Sequence, residues 1–146
     1  MRNRKTESGT VPADVLSGRR GELIAEKFLL CERGFRVLER NWRNPRDRRG
    51  EIDLICSDAG ILVFVEVKAR AAGALVPGYF AVDRRKRLAV RRAAEAYLRG
   101  LPAPPLTFRF DIVEVAIGGG APADAAPGIL HFENVPLFSK YFRGGR

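Results

Sequence analysis

Residues 51–69 read EIDLICSDAGILVFVEVKA, and they contain the clearest structural signal in the chain. Two apolar runs flank residues 57–60, whose residue types are typical of a tight turn. The runs are therefore predicted to be neighbouring strands of an antiparallel hairpin, in which Ser57 pairs with Gly60. The second run is apolar on both faces, which indicates that helices or other surfaces cover the sheet on both sides.

Weaker patterns extend this hairpin in both directions along the chain. Capping residues and helical spacing predict two helices, from Ser17 to about Arg33 and from Asp83 to near Gly100. The other predicted segments are strands at residues 35–40, 107–117 and 129–132, and an arginine-rich loop at residues 41–50. This order of elements favours an α/β fold with a mixed sheet.

The chain has 146 residues, of which 46% are hydrophobic, and this predicts a single globular domain. Residues 1–15 are predicted to form a flexible basic arm, which leaves residues 16–146 as the domain. No apolar run is long enough to cross a membrane, and no apolar segment follows the basic N-terminus as a secretory signal requires. Cys31 and Cys56 are too few for a disulfide scaffold, so both are predicted to be reduced in the core of a cytoplasmic protein.

Positive charge is the most informative part of the composition. Lysine and arginine number 26 against 17 acidic residues, which gives a net charge of +9. The excess is concentrated in residues 40–49 and 84–92, and arginine's planar fork suits phosphate. Two interpretations stay open: a polyanionic partner bound by both segments, or solvated faces that keep the protein soluble.

Charged residues also interrupt the apolar hairpin. Glu51 and Asp53 lie on its first strand, and Glu66 and Lys68 on its second. With Ser57 opposite Gly60, Asp53 and Glu66 share a face one diagonal step apart, whereas a one-residue slip would separate them. Buried carboxylates are costly without a counter-charge, and Mg²⁺ or Mn²⁺ would supply one. The alternative is a ladder of ion pairs at a sheet edge.

The motif Asp53…Glu66-Val67-Lys68 resembles the core of the restriction-endonuclease-like nucleases. The wider context consists of five segments in order: GRRGELIA at 18–25, RNWR at 40–43, GEIDLI at 50–55, FVEVKAR at 64–70 and RFD at 109–111. Together they resemble the YraN-type bacterial family, which is similar to the Holliday-junction resolvases of the PD-(D/E)xK superfamily. The resemblance implies a three-layer α/β/α restriction-endonuclease-like fold around a central mixed sheet.

The same resemblance implies a site that holds one or two Mg²⁺ or Mn²⁺ ions. Asp53, Glu66 and Glu22 would be the metal ligands and catalytic acids, and Lys68 the catalytic lysine; on the residues alone, Glu22 is an exposed helical glutamate. Glu51 has no assigned role in this core. Ile52 stands where the motif has proline, and the loop after Arg43 looks long for the family.

The implied function is a metal-dependent endonuclease that hydrolyses DNA phosphodiester bonds, with branched structures as candidate substrates. The partner would be nucleic acid, and a homodimer is the natural geometry for symmetric cleavage of two strands. The alternative is a non-catalytic nucleic-acid-binding or assembly module that retains the nuclease fold. The residues predicted to contact nucleic acid are Arg43, Arg46, Arg48, Arg49, Arg70, Arg84, Arg85, Lys86 and Arg87.

Three other residues have open roles. Trp42 either stacks on a nucleic-acid base or sugar, or anchors its segment to the core. Asp111 either pairs with Arg109 or approaches the metal site from a neighbouring strand. His131 is predicted to be structural.

Overall fold

The computed structural model describes residues 13–71, 84–118, 124 and 126–142, and they form two helices and five strands. The helices are α1 (Ala13–Cys31) and α2 (Arg84–Gly100). The strands are β1 (Arg36–Asn44), β2 (Asp47–Asp58), β3 (Ile61–Ala71), β4 (Phe108–Ile117) and β5 (Gly128–Phe132). They form one sheet in the order β1-β2-β3-β4-β5, in which only the β3–β4 pair is parallel. The predicted mixed sheet is confirmed.

The two helices cover opposite faces of this sheet. On β3, Val63 and Val65 pack in one buried cluster with Ala25 and Leu29 of α1. The alternate positions face the other way, where Phe64 joins a second cluster with the buried side of α2. Two apolar clusters on either side of one sheet make the three-layer α/β/α arrangement, and the apolar runs of the central strands are explained by it.

Several boundaries differ from the prediction. Helix α1 begins at Ala13 rather than at a cap on Ser17, and residues 1–12 of the predicted arm lie outside the described residues. The proposed cap Asp83 also lies outside them, although α2 ends at Gly100 as predicted. The prediction of a loop at residues 41–50 is wrong, because β1 and β2 continue into a tight turn at residues 45–46.

That turn is stabilised by its own residues. The backbone N–H of Arg46 donates a hydrogen bond of 3.1 Å to the side-chain oxygen of Asn44. Farther from the turn, Arg43 is paired with Glu51 across the two strands. Such cross-strand ion pairs let a charged segment form a strand although its composition is typical of a loop.

The predicted register of the central hairpin is also wrong. The turn consists of Ala59 and Gly60, with φ values of 47° and 87°, and Asp58 pairs with Ile61. Positive φ at both turn residues is typical of the two-residue turn that matches the twist of the strands. The pairing therefore differs by two positions from the predicted one, and this even shift leaves the side chains of the paired residues on their predicted faces.

The prediction that both cysteines are reduced and buried is confirmed for only one of them. Both cysteines are free, but Cys31 is exposed at the end of α1, and only Cys56 is buried as predicted. Cys31 is exposed because α1 turns its Ala25 and Leu29 side toward the sheet.

Among the described helices, none combines the length and apolar character needed to span a bilayer.

Candidate metal centre

Asp53 lies at the point where β2 and β3 separate. Their backbone pairing ends at Leu54 and Val65. Beyond it, a side-chain oxygen of Asp53 accepts a hydrogen bond of 2.8 Å from the backbone N–H of Val67. The alternation of β2 side chains between the two faces of the sheet is interrupted here as well. Ile52 and Leu54 are two residues apart, yet they belong to apolar clusters on opposite faces. The Asp53 carboxylate thus accepts the hydrogen bond that a backbone carbonyl would accept in a regular sheet, and this bond fixes its position. Asp53 is almost fully buried, with 8% of its surface exposed.

Two further carboxylates converge on Asp53. Glu22 on α1, Glu51 on β2 and Asp53 each offer one oxygen, and these oxygens lie within 4.8 Å of one another. The side-chain amide of Asn41 donates hydrogen bonds of 3.2 Å to both Glu22 and Glu51. Arg43 donates one of 2.8 Å to the second oxygen of Glu51. We call Glu22, Glu51 and Asp53 the carboxylate cluster.

The cluster includes two predicted metal ligands, Asp53 and Glu22, and one acid to which the sequence assigned no role, Glu51. The structure brings Glu22 to Asp53, as the family resemblance implied. Glu51 had no role, yet it lies in the cluster beside Asp53. Its signal was its position two residues before Asp53, because regular alternation along a strand would place both side chains on one face.

Close packing of α1 against β3 positions Glu22. A Cβ atom built on Gly21 would lie 2.9 Å from the Cβ of Ala69, a distance that real side chains avoid. Gly21 therefore permits the helix to approach β3, and the next residue, Glu22, reaches the cluster.

We expect Gly21→Ala to destabilise the protein by about 1–3 kcal/mol, because the added methyl group forces α1 away from β3. Equilibrium urea unfolding measures this loss. The matched control is Gly18→Ala on the same helix, where a Cβ would meet nothing within 4 Å and helix propensity should give a gain. Ala69→Gly should restore part of the loss in the double variant, and additive losses would contradict the proposed contact.

Glu66 lies beside Asp53 but outside the cluster. It is 2% exposed, and its Oε1 forms an ion pair of 3.0 Å with Nζ of Lys86 on α2. Its Oε2 is buried without a hydrogen-bond partner among the described residues. Lys68 follows on the same face of β3, and its charge lowers the pKa of Glu66 less than Lys86 does. The contact with Lys86 joins a helix to a strand, so no local sequence pattern could have indicated it.

Burial and mutual repulsion perturb these acids. Burial, with the nearby charge of Glu66, raises the pKa of Asp53 to about 8, against the opposing hydrogen bond from Val67. Burial also raises the pKa of Glu66, although Lys86 partly offsets the effect. Buried acids that repel one another lose that cost when a cation binds among them.

The donor set fits a hard divalent cation. The cluster presents carboxylate oxygens only, which are the ligands that Mg²⁺ and Mn²⁺ prefer. The unpartnered Oε2 of Glu66 adds a buried acceptor near Asp53. The predicted ligands Asp53, Glu66 and Glu22 therefore lie in one region, although Glu66 is held by Lys86.

The nine basic residues predicted to contact nucleic acid differ in whether an ion pair with an acid is observed for them. Four pair with acids: Arg43 with Glu51, Arg49 with Asp47, Arg70 with Glu114 and Lys86 with Glu66. Arg46, Arg48, Arg84 and Arg85 are exposed, and Arg87 is partly buried. Contact with nucleic acid stays a prediction for all nine, and the exposed group has the most accessible charge.

The three residues with open roles serve the core. Trp42 is partly buried and packs edge-on against Tyr97, with ring centroids 5.2 Å apart, which favours the anchoring role. Asp111 accepts hydrogen bonds from Arg109 and contacts the buried His131 at 2.9 Å. Asp111 is thus part of a structural network and not a member of the carboxylate cluster.

The fold and the cluster define a three-layer α/β/α protein with acidic residues of α1 and β2 gathered where β2 separates from β3. The model of the uncharacterised protein family UPF0102 matches residues 21–115, and the chain belongs to this family. The UPF0102 protein of Anaeromyxobacter dehalogenans is 44% identical over 105 residues, covering 72% of this chain and 75% of the relative. That of Chlorobaculum parvum is 43% identical over 101 residues, covering 69% and 75%.

These matches confirm the resemblance to the YraN-type family. The matched residues include all members of the carboxylate cluster, together with Glu66, Lys68 and Lys86. The family description assigns no activity to the site.

Proposed function

We propose that this protein is a metal-dependent nuclease that hydrolyses phosphodiester bonds of DNA. The observation that carries the proposal is the convergence of Glu22, Glu51 and Asp53 to within 4.8 Å, from a helix and a strand. Such a cluster is costly in a folded protein unless a cation offsets the repulsion. The net charge of +9 supports a polyanionic substrate.

Each residue near the cluster has a distinct proposed role. Asp53, Glu22 and Glu51 would hold Mg²⁺ or Mn²⁺, with Glu66 as a further acceptor. The bound cation would supply Lewis-acid chemistry, which polarises the phosphodiester and helps to activate water. Lys68, on the same face of β3 as Glu66, stabilises the negative charge that develops on the phosphate.

The exposed arginines support substrate binding near this site. Arg46 and Arg48 lie at the β1–β2 turn, and Arg84 and Arg85 begin α2. Both segments adjoin elements that carry residues of the site, because β2 holds Asp53 and α2 holds Lys86. Phosphates of a bound strand would be attracted to these guanidinium groups, which favour bidentate contacts.

The test is a cleavage assay with purified protein in Mg²⁺ or Mn²⁺ on labelled four-way junctions, single strands and nicked duplexes. We expect cleavage that Asp53→Asn abolishes and that Lys68→Ala reduces by about 10²–10³-fold, the usual cost of losing one electrostatic stabiliser. The matched control is Glu32→Gln, which removes an exposed acid outside the cluster. Absence of cleavage above the Asp53→Asn background on every substrate would contradict the proposal.

The second candidate is a non-catalytic nucleic-acid-binding module. The ion pair between Lys86 and Glu66 favours it, because an internal cation offsets part of the acidic charge without a metal. This candidate predicts DNA binding that is independent of divalent ions and that weakens about 10³-fold or more between about 50 and 200 mM salt. Binding of that kind, without measurable Mn²⁺ affinity in calorimetry, would support the module over the nuclease.

A further inference from the structure

A cavity of about 590 Å³ lies between the β1–β2 turn and α2. Its apolar floor includes Gly50 and Ala89, and its walls include Asn44, Arg85, Lys86 and Arg92. The cavity is separate from the carboxylate cluster, which none of these six residues joins. Its size is within the range of small-molecule sites in proteins, about 300–1,000 Å³.

The shape of the cavity depends on a close backbone contact. A Cβ atom on Gly50 would lie 2.5 Å from the carbonyl oxygen of Ala89, so glycine is needed where β2 touches α2. On α2, Arg85 and Arg92 are two helical turns apart and lie on the same face, one on either side of Ala89. Both arginines therefore line the cavity, with Ala89 between them along the helix.

The charge of the cavity is positive. Asp47 and Arg49, which also line it, neutralise one another through an ion pair of 2.8 Å. Arg85 and Arg92 form no ion pair within the described part of the chain. Two guanidinium groups above small apolar side chains suit a ligand that combines a phosphate with an apolar ring or sugar face.

We propose that this cavity binds a nucleotide unit, with its phosphate held by Arg85 and Arg92. The sugar lies against Ala89 and the backbone of Gly50, and the amide of Asn44 serves as a hydrogen-bond donor and acceptor. The proposal rests on the proposed function and extends it. Because Lys86 lines the cavity and also contacts Glu66, the nucleotide in the cavity is a near neighbour of the phosphodiester at the metal centre.

The test measures binding without metal, so it does not depend on cleavage. Thymidine 5′-monophosphate and the hexanucleotide dT6 are titrated into the protein in EDTA and followed by calorimetry. We expect the double variant Arg85→Gln/Arg92→Gln to weaken dT6 binding at least tenfold. The matched control Arg33→Gln/Arg36→Gln removes the same charge elsewhere on the surface and should change dT6 affinity by less than about twofold.

The mononucleotide identifies the source of the phosphate. If thymidine 5′-monophosphate shows the same dependence on Arg85 and Arg92, the cavity takes a terminal nucleotide; if only dT6 does, it takes an internal phosphodiester. Equal losses in the two double variants would overturn the proposal, because the arginines would then act only through net charge. Circular dichroism melting verifies that the variants are folded.

Failure of this proposal is distinguishable from failure of the nuclease proposal. Cleavage that Asp53→Asn abolishes, together with dT6 binding indifferent to Arg85 and Arg92, would remove the cavity and keep the nuclease. Binding that depends on both arginines, with no cleavage of any substrate, would keep the cavity and favour the non-catalytic module.

Discussion

Asp53→Asn is expected to stabilise the metal-free protein by about 1–3 kcal/mol while abolishing its affinity for Mn²⁺. The substitution removes the charge that burial and Glu66 oppose. It keeps the local structure, because the Asn oxygen can still accept the hydrogen bond from Val67, and its amide group can donate to Glu66. The gain in stability and the loss of metal binding have the same cause.

The pH dependence gives a second readout of this variant. Burial and Glu66 raise the pKa of Asp53 to about 8 in the folded chain, whereas in the unfolded chain it is near the usual carboxyl value of about 4. Asp53 therefore lowers the stability of the folded state least below about pH 4, where it is protonated in both states. The folded state loses stability as the pH rises from about 4 toward 8. Wild-type stability in EDTA should fall between pH 5 and 8 more steeply than that of Asp53→Asn.

Thermal unfolding at pH 5, 6.5 and 8 and calorimetric titration with Mn²⁺ measure the two effects. Asp47→Asn is the contrasting control, because the hydrogen bond from Arg49 lowers the pKa of Asp47 to about 2 and its ionised form is favoured. No gain should result from that change. An Asp53→Asn protein that binds Mn²⁺ as tightly as the wild type would refute the metal centre.

Asp111→Ala is expected to cost about 3–5 kcal/mol of stability, the largest loss that we predict. Asp111 is fully buried and accepts hydrogen bonds from Arg109, at 2.9 and 3.1 Å, and from the backbone N–H of Asn134, at 2.9 Å. It also contacts His131, whose side chain is 1% exposed. Removal of the carboxylate would leave the Arg109 charge and the His131 ring without their buried partner.

Urea unfolding measures this loss, and Asp58→Ala is its matched control. Asp58 also pairs with Arg109, at 3.0 Å, but its side chain is 28% exposed, so its removal should cost less than about 1 kcal/mol. Similar losses in both variants would mean that the burial of Asp111 adds nothing to its contribution to the free energy of unfolding. The hydrogen bonds lower the pKa of Asp111 in spite of its burial, so its contribution is present at neutral pH and is lost as the solution becomes strongly acidic.

Much of the fold could be predicted from the sequence, because the local patterns are strong. The alternation through Val63 and Val65 and the turn near Gly60 define the central hairpin. The register could not be fixed, since a two-residue turn fits both at Asp58 and Ala59, as predicted, and at Ala59 and Gly60, as observed. The extension of β1 and β2 through an arginine-rich segment was missed because cross-strand pairing, such as that of Arg43 with Glu51, overrides composition.

The candidate site was predictable only where it follows strand periodicity or the family resemblance. Asp53 and Glu66 were predicted to share a face, and the structure brings them side by side where the pairing of β2 and β3 ends. The approach of Glu22 came from the resemblance alone. The contact of Lys86 with Glu66 could not be predicted, since it depends on how α2 lies across the sheet.

The topology has a consequence for the order in which the chain folds. Strands β1, β2 and β3 are joined by short turns, whereas β4 reaches its parallel partner β3 only after the chain has passed through α2. Local pairings close small loops and form early, and the parallel pairing closes a large one and forms late. Asp53 and Glu66 therefore approach each other while still hydrated. Their repulsion becomes costly only when α2 docks and excludes water, and the same step brings the Lys86 ammonium to Glu66.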